Sequence, residues 1–187
     1  MAVKLDRFLK TEKQKAFGYD FFLDAESYEV WDEVKIGAEY WSEQTFEVTR
    51  EDMLAYAQGV MDPNPLFNDE EHARQSMYGE LVPHPLFCVV IAFWCISTKG
   101  RGSWIRSPGA INPGQRIEVY DHFRIGDVIR VKQTAWDRWT RRDWHYLTYK
   151  LDYYDQNDVL KAIWYCTLIL PESRARLMEY VKMGREG

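Results

Sequence analysis

From residue 114 onward, apolar and polar side chains alternate with a period of two through four stretches: GQRIEVYDHFR (114–124), VIRVKQTAWDRW (128–139), WHYLTYKLDYYD (144–155) and VLKAIWYCTLIL (159–170). Such alternation sends successive side chains to opposite faces of a strand. The breaks at Ile125-Gly126-Asp127, Arg141-Arg142-Asp143 and Gln156-Asn157-Asp158 carry turn residues, so the pattern predicts an antiparallel meander of four strands. In the third stretch His145, Leu147, Tyr149 and Leu151 share the face expected to be core, while Trp144, Tyr146, Thr148 and Lys150 share the other.

Ahead of the meander the period changes. Residues 41–48 alternate enough for one more strand, and Thr49, followed by Glu51 and Asp52, reads as the N-cap of a helix ending near Gly59. DPNPLFND (62–69) holds two prolines and several Asx residues, which argues against regular structure there. Asp69 then opens a short helix that Gly79 stops. After Pro83 and Pro85 the stretch from Leu86 to Lys99 is apolar on nearly every side, the mark of a helix enclosed by other structure. Pro171 ends the meander, and residues 173–183 predict a C-terminal helix. One strand, several helices and four long strands predict an α+β protein in which an antiparallel sheet of five or more strands wraps a central helix. The expected divisions are an aromatic-rich extension packed on the body (1–40), the wrapped-sheet domain (41–171) and the C-terminal helix (172–187).

Composition narrows the function classes. With 24 basic and 29 acidic residues the chain is mildly acidic, which offers nucleic acid no general attraction. No run reaches the roughly 18 apolar residues of a membrane helix, and the charged N-terminus lacks the apolar core of a signal peptide, so a cytoplasmic protein without membrane insertion is expected. Cys88, Cys95 and Cys166 lie in apolar runs with no ligand spacing. They read as buried reduced thiols rather than a disulfide framework or a metal site.

The segment YAQGVMDPNPLFNDEEHARQSMYGELVPHPLF resembles the MaoC-like enoyl-CoA hydratases and 3-hydroxyacyl dehydratases, in which a helix leads into a DxNPxHxD loop, a short helix and a Gly- or Pro-marked central helix. GQRIEVYDHFRIGDVIRVKQTAWD is similar to the strand pair that follows in that family. The resemblance spans about residues 44–170 and implies the hotdog fold, a thioester substrate such as an acyl-CoA, and no cofactor. In such enzymes an Asp and a His five residues later activate water for addition to a trans-2-enoyl thioester, or run the reverse dehydration. A backbone N–H at the start of the central helix stabilises the oxyanion.

Asp62, Asn64 and Pro65 match the loop, but the family His falls on Phe67, which transfers no proton, and the family glycine falls on Pro85, which has no N–H. VPHPLF resembles instead the V-A-P-P-T-F run of the non-catalytic half of two-part hydratases. The resemblance therefore implies an accessory, tunnel-forming chain whose second hotdog subunit carries the Asp/His pair. Asn64, Phe67, Pro85 and Phe87 are the expected substrate-side residues. Asp62 reads as catalytic by family position or as an Asx-turn residue serving the backbone. His84, at the mouth of the central helix, reads as a substitute proton-transfer group or as a hydrogen-bond partner of the loop. His72 is expected to be exposed, and His122 and His145 packed in strands. Trp136, Trp139, Trp144 and Trp164 suggest an interface or ligand face, or simply sheet packing. Arg138, Arg141 and Arg142 suit coenzyme A phosphates or a solvated turn. Two rival functions remain: a homodimeric enzyme with a site rebuilt on Asp62 and His84, such as a thioesterase or another lyase, and a non-enzymatic acyl-binding module.

Overall fold

A computed structural model describes residues 8–96 and 103–186. The period-two stretches form three long strands, β4 (Val128–Arg141), β5 (Trp144–Tyr154) and β6 (Leu160–Ile169), flanked by β3 (Ile111–Val119) and the short β1 (Glu39–Trp41). The sheet runs β1-β4-β5-β6-β3, every pairing antiparallel, with β2 (Phe46–Glu47) also on β4. Arg142 and Asp143 both take positive φ, which sets the tight turn between β4 and β5.

Helix α5 (Phe87–Cys95) lies against the inner face of this sheet. Its Phe87, Cys88, Ile91, Ala92 and Cys95 are buried together with Val131, Leu147, Leu151, Tyr153 and Trp164. Trp104 stacks on Tyr149, ring centroids 4.0 Å apart. This is a sheet wrapped around an apolar helix, the hotdog arrangement. Leu147, Tyr149 and Leu151 are buried and Trp144 is exposed, as the alternation requires.

Several boundaries differ from the sequence reading, each for a local reason. The stretch 41–48 is two strands, because the Ser42 hydroxyl takes the Val131 N–H and itself binds the Gln44 carbonyl, which interrupts the ladder. The 62–69 loop contains a helical turn, α3 (Pro65–Asn68): Asn64 caps it and Pro65 occupies its first position, where a missing N–H costs nothing. Helix α4 (Glu70–Gln75) stops at Ser76, whose hydroxyl binds the Ala73 carbonyl, before Gly79 is reached. β3 begins at Ile111 and ends at Val119. Helix α5 is two and a half turns, Ile96 being its C-cap; Ser97, Thr98 and Lys99, read as part of it, lie outside the described residues, as do residues 1–7 of the extension. Trp164 is a core residue and not a surface one.

Helix α2 (Arg50–Gly59) is capped by Thr49. The N-terminal segment carries a further helix, α1 (Glu12–Ala16), and meets the C-terminal helix α6 (Arg174–Glu186) in a second apolar cluster of Ala25, Tyr28, Val30, Leu177 and Val181. Arg174 binds the Glu26 and Tyr28 carbonyls across that junction. Gly109 permits the close seating of α6. Its φ is +78°, and a Cβ there would stand 2.4 Å from Cδ2 of Tyr180. Gly109→Ala is expected to cost about 1–3 kcal/mol and to lower the thermal midpoint by several degrees; an unchanged midpoint in a thermal scan would contradict this packing. Among the described residues no helix is long and apolar enough to cross a membrane.

Candidate functional site

Beyond α2 the chain turns through Met61, which has positive φ, and delivers Asp62 into a loop built on side-chain to backbone bonds. Asp62 Oδ1 accepts the Asn64 N–H at 2.9 Å and Asn64 Oδ1 accepts the Leu66 N–H at 3.1 Å. Asn68 Nδ2 closes the loop by donating to the Asp62 carbonyl at 2.7 Å and the Asn64 carbonyl at 3.1 Å. These are Asx-type turns, and they use one Asp62 oxygen entirely within the backbone.

His84 approaches the same loop from the start of α5. Its Nδ1 accepts the Leu86 N–H at 3.1 Å, and its Nε2 lies 3.4 Å from Asp62 Oδ2. Accepting at Nδ1 places the proton of the neutral ring on Nε2, facing Asp62. The rings of Phe67 and Tyr56 enclose the imidazole, with centroids at 5.4 and 5.5 Å. Its side chain is 16% exposed and that of Asp62 30%.

A cavity of about 580 Å³ opens beside this pair. Phe67, His84 and Pro85 line it together with Tyr78, Tyr120, Asp121 and His122. Of the expected substrate-side residues, Phe67 and Pro85 therefore border open space. Asn64 is turned to its own backbone, and Phe87 packs inward against Phe46 and Tyr56, ring centroids 5.8 Å from each. Sequence reasoning did not single out Tyr56, Tyr78 or Tyr120, and nothing in their local pattern marks them. His122 binds Glu80 through Nε2 at 3.0 Å, and His145 packs on Trp31. Arg138 donates from one guanidinium nitrogen to the Trp31 and Val34 carbonyls, both at 3.0 Å.

The chemistry available here is limited. Burial pushes the thiols of Cys88, Cys95 and Cys166 up to about 12, so none supplies a thiolate near His84. Among the described residues no group of three His, Cys, Asp or Glu side chains is placed to hold a metal ion. Two atoms able to move a proton, His84 Nε2 and Asp62 Oδ2, face each other at the loop, and His122, held by Glu80, borders the same cavity.

A wrapped-helix sheet with an Asp-x-Asn-Pro loop at the mouth of its helix defines a hotdog protein of the MaoC-like dehydratase type. Residues 34–163 match the family described as FAS1-like, dehydratase domain region, and the chain belongs to that family. It is similar to a protein from Thermobifida fusca described as a UPF0336 protein, 28% identical over an alignment of 109 residues that covers 54% of this chain and 68% of the other. In fold it is similar to a MaoC-like dehydratase from Rhodospirillum rubrum (TM-score 0.63, 22% identity, 76% of this chain and 97% of that one). It is likewise similar to a chain of the HadBC (3R-hydroxyacyl-ACP dehydratase) complex from Mycobacterium tuberculosis (TM-score 0.62, 19% identity, 76% and 98% covered).

Proposed function

We propose that this chain is the accessory half of a heteromeric hydratase/dehydratase acting on an enoyl or 3-hydroxyacyl thioester such as an acyl-CoA. A second hotdog subunit supplies the reactive Asp/His pair. The observation that carries the reading is the state of the loop. Phe67 and Pro85 stand where a base and an oxyanion donor are required, and the remaining candidates are engaged with the loop: His84 Nδ1 accepts the Leu86 N–H, Asp62 Oδ1 accepts the Asn64 N–H, and His84 Nε2 stands 3.4 Å from Asp62 Oδ2. Hydration needs a base to take a proton from water as its oxygen bonds to C3, an acid to deliver a proton to C2, and donors for the thioester oxygen in between. The loop here keeps its shape and lacks those parts.

Phe67 and Pro85 then serve as cavity wall for the acyl group, with Phe87 and Asn64 holding that wall in place. The similarity to a chain of the two-component HadBC dehydratase complex supports a hotdog partner, and the largely exposed β3 at the sheet edge offers a surface for one. Residues 41–171 act as the hotdog unit, with 1–40 and 172–187 added to it. Three buried free cysteines and a thioester substrate suit the cytoplasm.

The test returns the missing groups. Phe67→His combined with Pro85→Gly is expected to raise hydration of trans-2-enoyl-CoA by the chain alone at least about 10²-fold above its background, since one oxyanion donor contributes about 10²–10³ and general acid–base catalysis about 10²–10⁴. A folded double variant still at background would show that the loss of reactivity is not seated at these positions. The 3.4 Å approach of His84 Nε2 to Asp62 Oδ2 favours one second reading, a homodimeric thioesterase or lyase that uses this pair. That reading requires turnover by the wild-type chain alone and its loss in Asp62→Ala.

A further inference from the structure

The face of α5 turned away from the sheet is crossed by the N-terminal segment, which precedes the family-matched residues and is pinned at two places. Lys13 of α1 reaches α2, where its Nζ lies 2.5 Å from Asp52 Oδ2 and 4.7 Å from the centre of the Phe46 ring. Thr49 Oγ1 binds the same carboxylate oxygen at 2.8 Å and fixes its position. At the second place Arg106, only 5% exposed, donates to the Gly18 carbonyl at 3.1 Å and to the Phe93 carbonyl of α5 at 3.0 Å. Its guanidinium stands 4.4 Å from the centre of the Phe17 ring and 5.2 Å from that of Phe21. Phe21 in turn stacks on Phe93.

Between the two pins is a cavity of about 280 Å³, walled by Phe17, Phe46, Tyr56, Val90, Phe93 and Trp94. Packed interiors keep few voids larger than a water molecule, and an apolar cavity of about 150 Å³ already accepts a benzene ring. A space nearly twice that size has room for two fused rings or a compact alkyl group. Its walls are mostly apolar: Thr11 Oγ1 and Gln14 Oε1 at the rim accept the bonds of the α1 capping box, and Lys13 and Asp52, which also border the space, pair with each other. Residues 11–19 are held over this space at Gly18 by Arg106 and at Lys13 by Asp52. The geometry points to a binding pocket for an apolar group of about two fused rings, roofed by residues 11–19 and latched by the Lys13–Asp52 pair. Tyr56 borders both this pocket and the His84 ring, but the pocket does not rest on the accessory-subunit reading, because occupancy is measurable without turnover.

The experiment uses the full chain and 2-naphthol, followed by calorimetry and by stopped-flow fluorescence. The expected result is one site with a Kd at or below about 1 mM, lost in Val90→Trp, whose added ring fills the pocket. Lys13→Ala should speed both association and dissociation by about fivefold or more, since the latch no longer holds the roof down. Failure of 2-naphthol to bind at 1 mM overturns the proposal, as does equal binding by folded Val90→Trp, or rates unchanged by Lys13→Ala. Should Val90→Trp not fold, intermolecular NOEs in the wild-type complex decide: contacts to the Val89 and Val90 methyl groups support the pocket, and contacts confined to other residues refute it.

Discussion

A chain carrying Ile91→Asp will fail to accumulate as soluble, folded protein. Ile91 is fully buried at the middle of α5, inside the cluster that also holds Val131, Leu151 and Trp164. Burying its side chain contributes about 1.5–3 kcal/mol, and an unpaired carboxylate in its place adds a penalty of several kcal/mol more. Against a total stability of about 5–15 kcal/mol that sum removes most or all of it. Ile91→Val, which deletes one methyl group, should cost only about 0.5–1.5 kcal/mol and remain soluble. Soluble yield and thermal midpoint check both variants. A folded Ile91→Asp protein with an unchanged midpoint would mean that the sheet does not enclose α5.

Lys161→Ala is expected to cost about 3–5 kcal/mol, a larger effect than most single substitutions. Lys161 is 1% exposed, and its Nζ lies 2.9 Å from Asp121, 3.2 Å from Asp127 and 3.8 Å from Asp155. Asp127 and Asp155 are themselves buried, anchored by the N–H groups of Arg124, Asn157 and Val159. Removing the ammonium leaves Asp127 and Asp155 buried with only backbone N–H partners, and Asp121 with Arg124 as its remaining cation. The hydrogen bond from Arg124, with further help from Lys161, holds the Asp121 carboxyl well below the usual carboxylate range. A carboxylate depressed in the folded state contributes stability that is present above its unfolded pKa of about 3.9 and is lost as pH falls through the lower folded value. The wild-type network should therefore persist to about pH 4 and weaken below it. In Lys161→Ala the Asp121 carboxyl keeps Arg124 but loses one of the two cations that lower it, so it protonates more readily than in the wild type and the deficit should be smaller at about pH 3 than at pH 7. Urea midpoints at the two pH values read this; a deficit under about 1 kcal/mol at pH 7, or one that widens on acidification, would contradict the role given to Lys161.

The strands were legible because a sheet with one buried face writes its burial into the sequence every second residue. Leu147, Tyr149 and Leu151 show that directly. Where side chains compete with the backbone ladder the pattern loses resolution. Ser42 alternates acceptably as a strand residue, yet its hydroxyl takes the bond that would have continued the pairing. Pro65 reads as a helix breaker in a loop and as a helix starter once Asn64 caps it. Helix α1 was missed because Glu12–Ala16 has no apolar face of its own; Thr11 and Gln14 hold it locally and Lys13 ties it to α2. Trp164 sits opposite Leu151 on β6 and shares its buried face, which only the strand register reveals.

The candidate site was legible in its parts rather than in its geometry. The Asp-x-Asn-Pro loop and the histidine at the mouth of α5 could each be named from local pattern. Their meeting depends on a contact between separate segments, in which the Val82 N–H binds the Leu66 carbonyl and carries His84 back over the loop. Tyr56, Tyr78 and Tyr120 come from three different elements, and no spacing along the chain brings them together.

The most direct test of the accessory role is hydration of trans-2-enoyl-CoA thioesters by the purified chain, alone and mixed with a hotdog subunit that retains an intact Asp-x-Asn-Pro-x-His loop. Loss of the conjugated enoyl absorbance reports turnover. The account predicts background rates for the chain alone, and turnover in the mixture that needs both chains and survives Asp62→Ala in this one. Robust turnover by the wild-type chain alone, abolished by Asp62→Ala, would contradict it.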